Sequence, residues 1–273
     1  MGWLSILTML SALWADPSGP PAGLPGALAL TSDPAPTEIT NDTHYLVSNE
    51  RRLDLFASAT SKRGGVYVRV GAGQNYIPAG WSRPDYMVLV DFDAEVVDLH
   101  GLYSVFLAHA ETPEKFEQLW SESAEAEVRQ LLRLAVRNEG RATRLQALYE
   151  RARPEVAQRI AIMHTKLKEA GEDWYLTDPE AYDHLADLAR RDRIVAKRGD
   201  FTRPGVLRAL GEVLRDASAS VGVLYLSNIE QYFMYGADYR ANVLGLPLDE
   251  DTAVLRTLPG RPAGFEYITQ RGD

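Results

Sequence analysis

Two short runs of the chain are apolar at nearly every position. They read YMVLVDF at residues 86–92 and VGVLYLSN at residues 221–228. A strand with one face in water alternates apolar and polar residues, so these runs are typical of strands buried on both faces. Such strands need helices on each side of their sheet. We therefore predict an α/β protein with an open, mostly parallel, Rossmann-like sheet.

Other segments extend this pattern in both directions along the chain. Strands are predicted where β-branched and aromatic residues cluster, namely in VYVRV at 66–70, IVAKRGDF at 194–201, TAVLRTL at 252–258 and GFEYITQ at 264–270. A Pro/Gly turn separates the last two, which are predicted to form a C-terminal antiparallel pair. Residues 110–190 instead have apolar positions at helical spacing, with Pro154 starting one helix. This stretch is predicted to be a helical insertion.

The N-terminal part of the chain has a different composition. Residues 3–15 are apolar and uncharged, too few to span a bilayer comfortably but of the length of a signal-peptide core. No Lys or Arg precedes them and the cleavage site is poor, so a misplaced start codon or a frayed apolar arm is the alternative. Residues 16–37 are rich in proline and glycine, which predicts a linker. We expect residues 1–37 to be a signal peptide or anchor plus linker, and residues 38–273 to form a single α/β domain.

Composition restricts the classes of function. A formal net charge of −9 disfavours a protein that grips nucleic acid over its whole surface. The absence of cysteine excludes disulfides, cysteine-ligated zinc and thiolate catalysis. No histidine pair has the spacing of a helical zinc site, so no metal is predicted. The expected partner is a small molecule, with membrane contact only through the N-terminal segment and export favoured over a cytoplasmic location; no pattern specifies an oligomeric state.

A glycine loop, GAGQN at residues 71–75, directly follows the first predicted strand and precedes a short helix. Glycines allow the backbone to approach a ligand closely, and a helix N-terminus attracts negative or polar groups. Gln74 and Asn75 are then expected to present their amides to the ligand. Tyr76 stands where a dinucleotide fingerprint has its third glycine, so the alternative is a tight turn with no ligand.

Two acids end the second predicted strand. Asp91 falls 20 residues after Gly71, and an acid at that separation can accept hydrogen bonds from both hydroxyls of a ribose. The alternative for Asp93 is that it caps the helix that follows. The glycine loop and the acid together predict a nucleoside-type pocket.

Polar residues also follow the third and fourth predicted strands. Asp200 lies in Gly199-Asp200, and Asn228 and Glu230 lie in the segment SNIEQY at 227–232. Open α/β sheets bind their ligands at the carboxyl ends of the strands. We therefore predict that one cleft at this edge is approached by residues from four strand ends: Gly71, Gly73, Asp91, Asp200 and Asn228.

The order of these segments resembles the S-adenosylmethionine-dependent methyltransferase fold, with VYVRVGAG, MVLVDFD, IVAKRGD and VLYLSNIEQY in the places of its first four strands and loops. The resemblance implies that S-adenosylmethionine contacts these loops, at Gly71, Gly73, Gln74, Asn75, Asp91, Asp93, Asp200 and Ser227. It also implies that Asn228 and Glu230 face the transferred methyl group. One departure is Arg69, which stands where the family usually has an acid and is expected to repel the cofactor's cationic groups.

The chain is also similar to an uncharacterised bacterial family over about residues 40–270. The similarity rests on SNERR at 48–52, GGVYVRVGAGQNY at 64–76, VVDLHGLY at 96–103, GDF at 199–201 and LSNIEQY at 226–232. This family implies no function.

Two other functions are alternatives to that of a methyltransferase-like protein. One is a non-enzymatic exported protein whose cofactor pocket is structural or binds another small molecule. The other is a metal-dependent hydrolase that uses Asp91, Asp93, His100 and Glu230, which lie on different predicted loops.

Overall fold

Six strands form one sheet in the computed structural model, which describes Leu24 and residues 29–36, 44–260 and 264–273. The strands are β1 Val66–Arg69, β2 Tyr86–Asp91, β3 Ile194–Arg198, β4 Val221–Ser227, β5 Ala253–Pro259 and β6 Phe265–Arg271. They lie in the order β3-β2-β1-β4-β5-β6, and every neighbouring pair is parallel except β5 and β6. The mostly parallel α/β sheet and its C-terminal antiparallel pair are thus confirmed.

Nine α-helices surround the sheet within the described ranges. They are α1 Ala57–Thr60, α2 Tyr76–Ser82, α3 Ala94–His109, α4 Pro113–Leu119, α5 Glu125–Ala135, α6 Glu139–Ala170, α7 Pro179–Arg190, α8 Val206–Asp216 and α9 Ala237–Leu244. Alternate residues of β2 enter two separate cores: Met87 packs with the helices from α2 to α7, whereas Val88 packs with α8. This is why β2 is apolar at consecutive positions.

The long stretch between α3 and β3 contains helices and no strand among its described residues. Its longest helix, α6, runs through Pro154 without a break, so the prediction that Pro154 starts a helix is wrong. A proline inside a helix removes one backbone hydrogen bond and costs about 3 kcal/mol. Residues on both sides of it, including Tyr149 and Val156, are buried in the core, and this packing keeps the helix continuous.

The N-terminal segment contributes to the fold earlier than the predicted boundary at residue 38. Leu24 and Leu30 are buried in the core beside α8, and Asp33 donates its backbone N–H to the Arg198 carbonyl on the free edge of β3. Part of the predicted linker is therefore packed. The apolar segment at 3–15 lies outside the described residues, so the signal peptide remains a prediction. No helix in the described part of the chain is long and apolar enough to cross a membrane.

Asp33 caps helix α8 from a distant part of the chain. Its two carboxylate oxygens accept the backbone N–H groups of Val206 at 2.9 Å and Asp200 at 3.2 Å. A side chain at Gly205 would overlap this carboxylate, so a glycine there makes room for the cap. The first amides of a helix lack partners within the helix, and Asp33 supplies one.

We expect Asp33→Ala to lower the free energy of unfolding by about 1–2 kcal/mol, because the first turn of α8 loses its cap. Asp33→Asn is the matched control, since its amide oxygen can still accept the Val206 N–H and cap the helix, while only the hydrogen bond from Asp200 is lost. It should retain most of the stability that the cap supplies. Urea denaturation of the three proteins measures the difference. Equal stability of the alanine variant and the wild type would contradict the capping role.

Candidate ligand-binding site

A cavity of about 270 Å³ opens at the carboxyl edge of the sheet. Residues after four different strands line it: Gly71 and Gln74 after β1, Asp91 and Asp93 at the end of β2, Asp200 after β3, and Ser227 and Asn228 at the end of β4. The loop at 45–49 closes a further side. Parallel strands place their carboxyl ends at one edge, so residues far apart in sequence meet here.

Asp91 ties together the loops that follow β1 and β2. One carboxylate oxygen accepts the N–H of Gly71 at 2.9 Å, and the other accepts the N–H of Asp93 at 2.9 Å. Gly71 has a φ of +89°, a conformation that glycine adopts readily. Burial raises the pKa of Asp91 to about 6, although both backbone hydrogen bonds oppose this rise. A carboxylate has about four acceptor positions, so Asp91 can still bind a ligand donor.

Arg69 lies beneath the glycine loop and does not line the cavity. Its guanidinium is fully buried and donates to the carbonyls of Gly71 at 2.7 Å and Ala72 at 2.9 Å. Burial lowers its pKa to about 10. The neighbouring His100 ring has a pKa well below its usual value, because it is buried and faces the Arg69 charge. Arg69 therefore holds the loop from below, in a position the sequence did not reveal.

Two members of the glycine loop lie away from the strand-end cavity, contrary to the prediction for Gly73 and Asn75. Gly73 packs against Tyr103, and a side chain at this position would overlap the Tyr103 hydroxyl. The fully buried Asn75 donates its side-chain amide to the carbonyls of Val70 at 3.2 Å and Ala72 at 2.6 Å. Both residues shape the loop.

Glu230, predicted to face a reacting group, does not line the cavity either. Its carboxylate pairs with the Arg256 guanidinium at 2.6 Å and accepts the Tyr239 hydroxyl at 2.8 Å. Its side chain is 4% exposed. The ion pair connects the segment that follows β4 with strand β5, so Glu230 has a structural role.

Asp93 and Asp200 line the cavity while also ordering the local backbone. Asp93 accepts the Glu95 N–H at 2.8 Å and so caps α3, the alternative that its sequence position left open. Its other oxygen faces the His44 ring at 2.8 Å, and this hydrogen bond raises the pKa of His44. Asp200 accepts the Thr202 N–H at 2.8 Å.

The cavity lining has a distinct charge pattern. It contains three carboxylates and, among the described residues, no lysine, arginine or histidine. Its outer part, which we call the rim, is formed by large aromatic side chains that are about half exposed: Tyr45, Phe92 and Tyr232. Exposed aromatic groups around a concave site are typical of ligand binding.

Sequence reasoning missed Glu50, a fully buried acid behind the cavity wall. Its Oε2 accepts the hydroxyls of Tyr225 at 2.7 Å, Ser227 at 2.9 Å and Ser48 at 2.9 Å. Glu50 follows no predicted strand, so the strand-end rule could not find it. The only sequence signal was its place in the SNERR segment.

The residues of the metal-hydrolase alternative do not assemble. Within the described part of the chain, no three His, Cys, Asp or Glu residues are placed to hold a metal ion. His100 contacts Arg69 below the glycine loop, and Glu230 contacts Arg256.

The fold and the cavity together define a mixed α/β protein with a candidate small-molecule site at its strand ends. The family model for a domain of unknown function, DUF7790, matches residues 45–273. The chain belongs to this family, because the match covers more than half of its length. No curated protein matches it significantly.

Proposed function

We propose that the chain is a methyltransferase-like, Rossmann-like protein that binds a positively charged nucleoside, such as S-adenosylmethionine, in the strand-end cavity. The observation that carries this proposal is the cavity lining, with three carboxylates and no cationic side chain among the described residues. Carboxylates in a partly buried site favour a cationic ligand and disfavour a phosphate. The Gly71 N–H, which could have bound a phosphate, is occupied by Asp91.

The position of the cavity supports a nucleoside. β1 lies between β2 and β4, so the order of the strands reverses at this point. In open α/β sheets the ligand binds in the crevice at such a switch point, and an acid at the end of the second strand binds the ribose. The position of Asp91 at the end of β2 supports that role, and Phe92 and Tyr232 on the rim offer faces on which a base can stack.

Isothermal titration calorimetry of the full chain tests the proposal. We expect saturable heat with S-adenosylmethionine and weaker binding of S-adenosylhomocysteine, which keeps the ammonium but lacks the sulfonium charge. We expect none with ATP, because the carboxylates repel the triphosphate. ATP is the control, since it carries the same adenosine. An affinity for ATP equal to that for S-adenosylmethionine would contradict the proposal. So would the absence of heat with both sulfur nucleosides at millimolar concentration.

A non-enzymatic binding protein is the second candidate, and the placement of Glu230 favours it. This acid is paired with Arg256, which leaves Asn228 as the one predicted catalytic residue on the cavity. The two candidates differ in whether the methyl group of bound S-adenosylmethionine is transferred to a substrate.

Glu230→Gln is expected to lower the free energy of unfolding by about 1–3 kcal/mol, because Arg256 loses a charged hydrogen-bond partner. The affinity for S-adenosylhomocysteine should stay the same, since Glu230 does not line the cavity. Thermal denaturation and calorimetry measure the two effects. Weakened binding with unchanged stability would show that Glu230 contributes to the binding site.

A further inference from the structure

Glu50 gathers hydrogen bonds from several side chains around the cavity. Three hydroxyls donate to its Oε2, and the Gln74 amide approaches the same atom at 3.5 Å. Its backbone is fixed as well, because its N–H donates to Ser48 Oγ at 3.0 Å and its carbonyl accepts the Arg159 guanidinium. Oε2 is therefore held in one position, whereas Oε1 is buried and has no hydrogen-bond partner among the described residues.

Three of the four donors line the cavity, and we call them the floor: Ser48, Gln74 and Ser227. A carboxylate has no hydrogen to donate, so each of these side chains commits a hydrogen to Glu50. The two hydroxyls can therefore offer a ligand only oxygen lone pairs, and one lone pair of Ser48 already accepts the Glu50 N–H.

Gln74 and Ser227 show that the floor is built for a partner. Gln74 is 5% exposed, and its Oε1 has no hydrogen-bond partner among the described residues. A buried carbonyl oxygen without a partner is unfavourable unless a ligand or water supplies a donor. Ser227 is in the left-handed region with φ of 51°, which is uncommon for a residue other than glycine.

We propose that Glu50 is a positioning residue that turns the floor into a surface of hydrogen-bond acceptors and so selects a ligand whose inner end carries a primary amine or ammonium. This inference rests on the proposed function and specifies the group that the site selects. An ammonium has three donors and no acceptor, so it matches a floor of oxygen atoms beside a buried carboxylate.

The test compares two ligands that differ in one group. They are S-adenosylhomocysteine and its otherwise identical analogue without the amino group. We expect the wild-type chain to bind the amine-bearing ligand about tenfold more tightly, the factor that corresponds to one charge-assisted hydrogen bond. Glu50→Met keeps the length of the side chain and removes the acceptor, so the floor hydroxyls can turn their hydrogens to the cavity. The affinity ratio should then approach one.

Two further variants separate selection from general destabilisation. Ser227→Ala removes one floor oxygen and one hydroxyl donor to Glu50 while it keeps the Glu50 side chain itself. It should also reduce the ratio, which keeps the test valid if Glu50→Met does not fold. Tyr225→Phe removes a donor to Glu50 that does not line the cavity. It should lower the melting temperature and preserve the ratio.

The outcomes distinguish this inference from the proposed function. If the wild-type chain binds neither nucleoside, the proposed function fails and the inference falls with it. If it binds both equally, or if Glu50→Met and Tyr225→Phe weaken both ligands by the same factor, the nucleoside site stands and the role of Glu50 is overturned.

Discussion

Replacing Gly73 by alanine is expected to lower the free energy of unfolding by about 3 kcal/mol, the upper part of the range for overpacked cores. The added Cβ would lie 2.6 Å from Tyr103 Cζ and closer still to the hydroxyl. Tyr103 has little room to move, since its ring stacks on Tyr76 with centroids 4.5 Å apart. Urea denaturation of wild type and variant measures the loss.

Gly140→Ala is the matched control for this prediction. A side chain there would have its nearest contact at 3.4 Å, with Asn138 Oδ1. The residue lies in the first turn of α6, where alanine favours the helix by up to about 1 kcal/mol over glycine. The same change should therefore be neutral or stabilising at Gly140. Wild-type stability of both variants would show that Gly73 is not tightly packed.

The expected effect at Gly73 also changes what this glycine indicates. The sequence alone predicts that Gly73 approaches the cleft and lets a ligand come close to the backbone. The structure places Tyr103 at that position, on helix α3. A glycine is needed at this position whether a side chain or a ligand lies against the backbone. The sequence therefore could not distinguish the two cases.

Much of the sheet could be predicted, because its signals are local. A strand covered on both faces must be apolar at consecutive positions, as β2 and β4 are. The acids at strand ends could be placed too, since parallel strands bring Asp91 and Asp200 to one edge. That much follows from the repeating alternation of strand and helix.

The missed features depend on partners far away in sequence. Glu50 lies 175 positions before Tyr225, and Glu230 lies 26 positions before Arg256. Asp33 caps a helix 173 positions later. Each partner pair is defined only once the sheet is assembled. No spacing rule along the chain could therefore have assigned these three acids.

Arg69 shows that the effect of a charged residue on cation binding depends on where its side chain lies relative to the cavity. Its position suggested repulsion of a cationic ligand, but the guanidinium donates to the loop carbonyls from below. The side of the loop that faces the cavity carries Asp91 instead. Under the proposed function, Asp91 is the charged group of this loop that meets a cation in the cavity, and its ionisation is therefore expected to affect binding.

Binding of a cationic nucleoside is expected to weaken about tenfold between about pH 7.5 and about pH 5, because ligand binding favours ionised Asp91. Burial raises the pKa of Asp91 to about 6, so the free protein takes up a proton over this range. The ligand must then displace that proton. Calorimetry with S-adenosylmethionine across these pH values measures the change, and an affinity that does not vary with pH would contradict the role of Asp91.

Asp91→Asn is the control, since it has similar size and does not titrate. Its affinity should be weaker near neutral pH and nearly independent of pH. His44 is expected to contribute to a dependence that remains, because its pKa is raised by its hydrogen bond to Asp93 and its protonation also disfavours a cation. The contribution of Asp91 to the stability of the ligand-free chain should change in the opposite direction to the affinity, because it decreases as the pH rises. A carboxyl whose pKa rises from 3.8 to about 6 on folding favours the folded state below the lower value, and this contribution disappears as the pH rises through about 6.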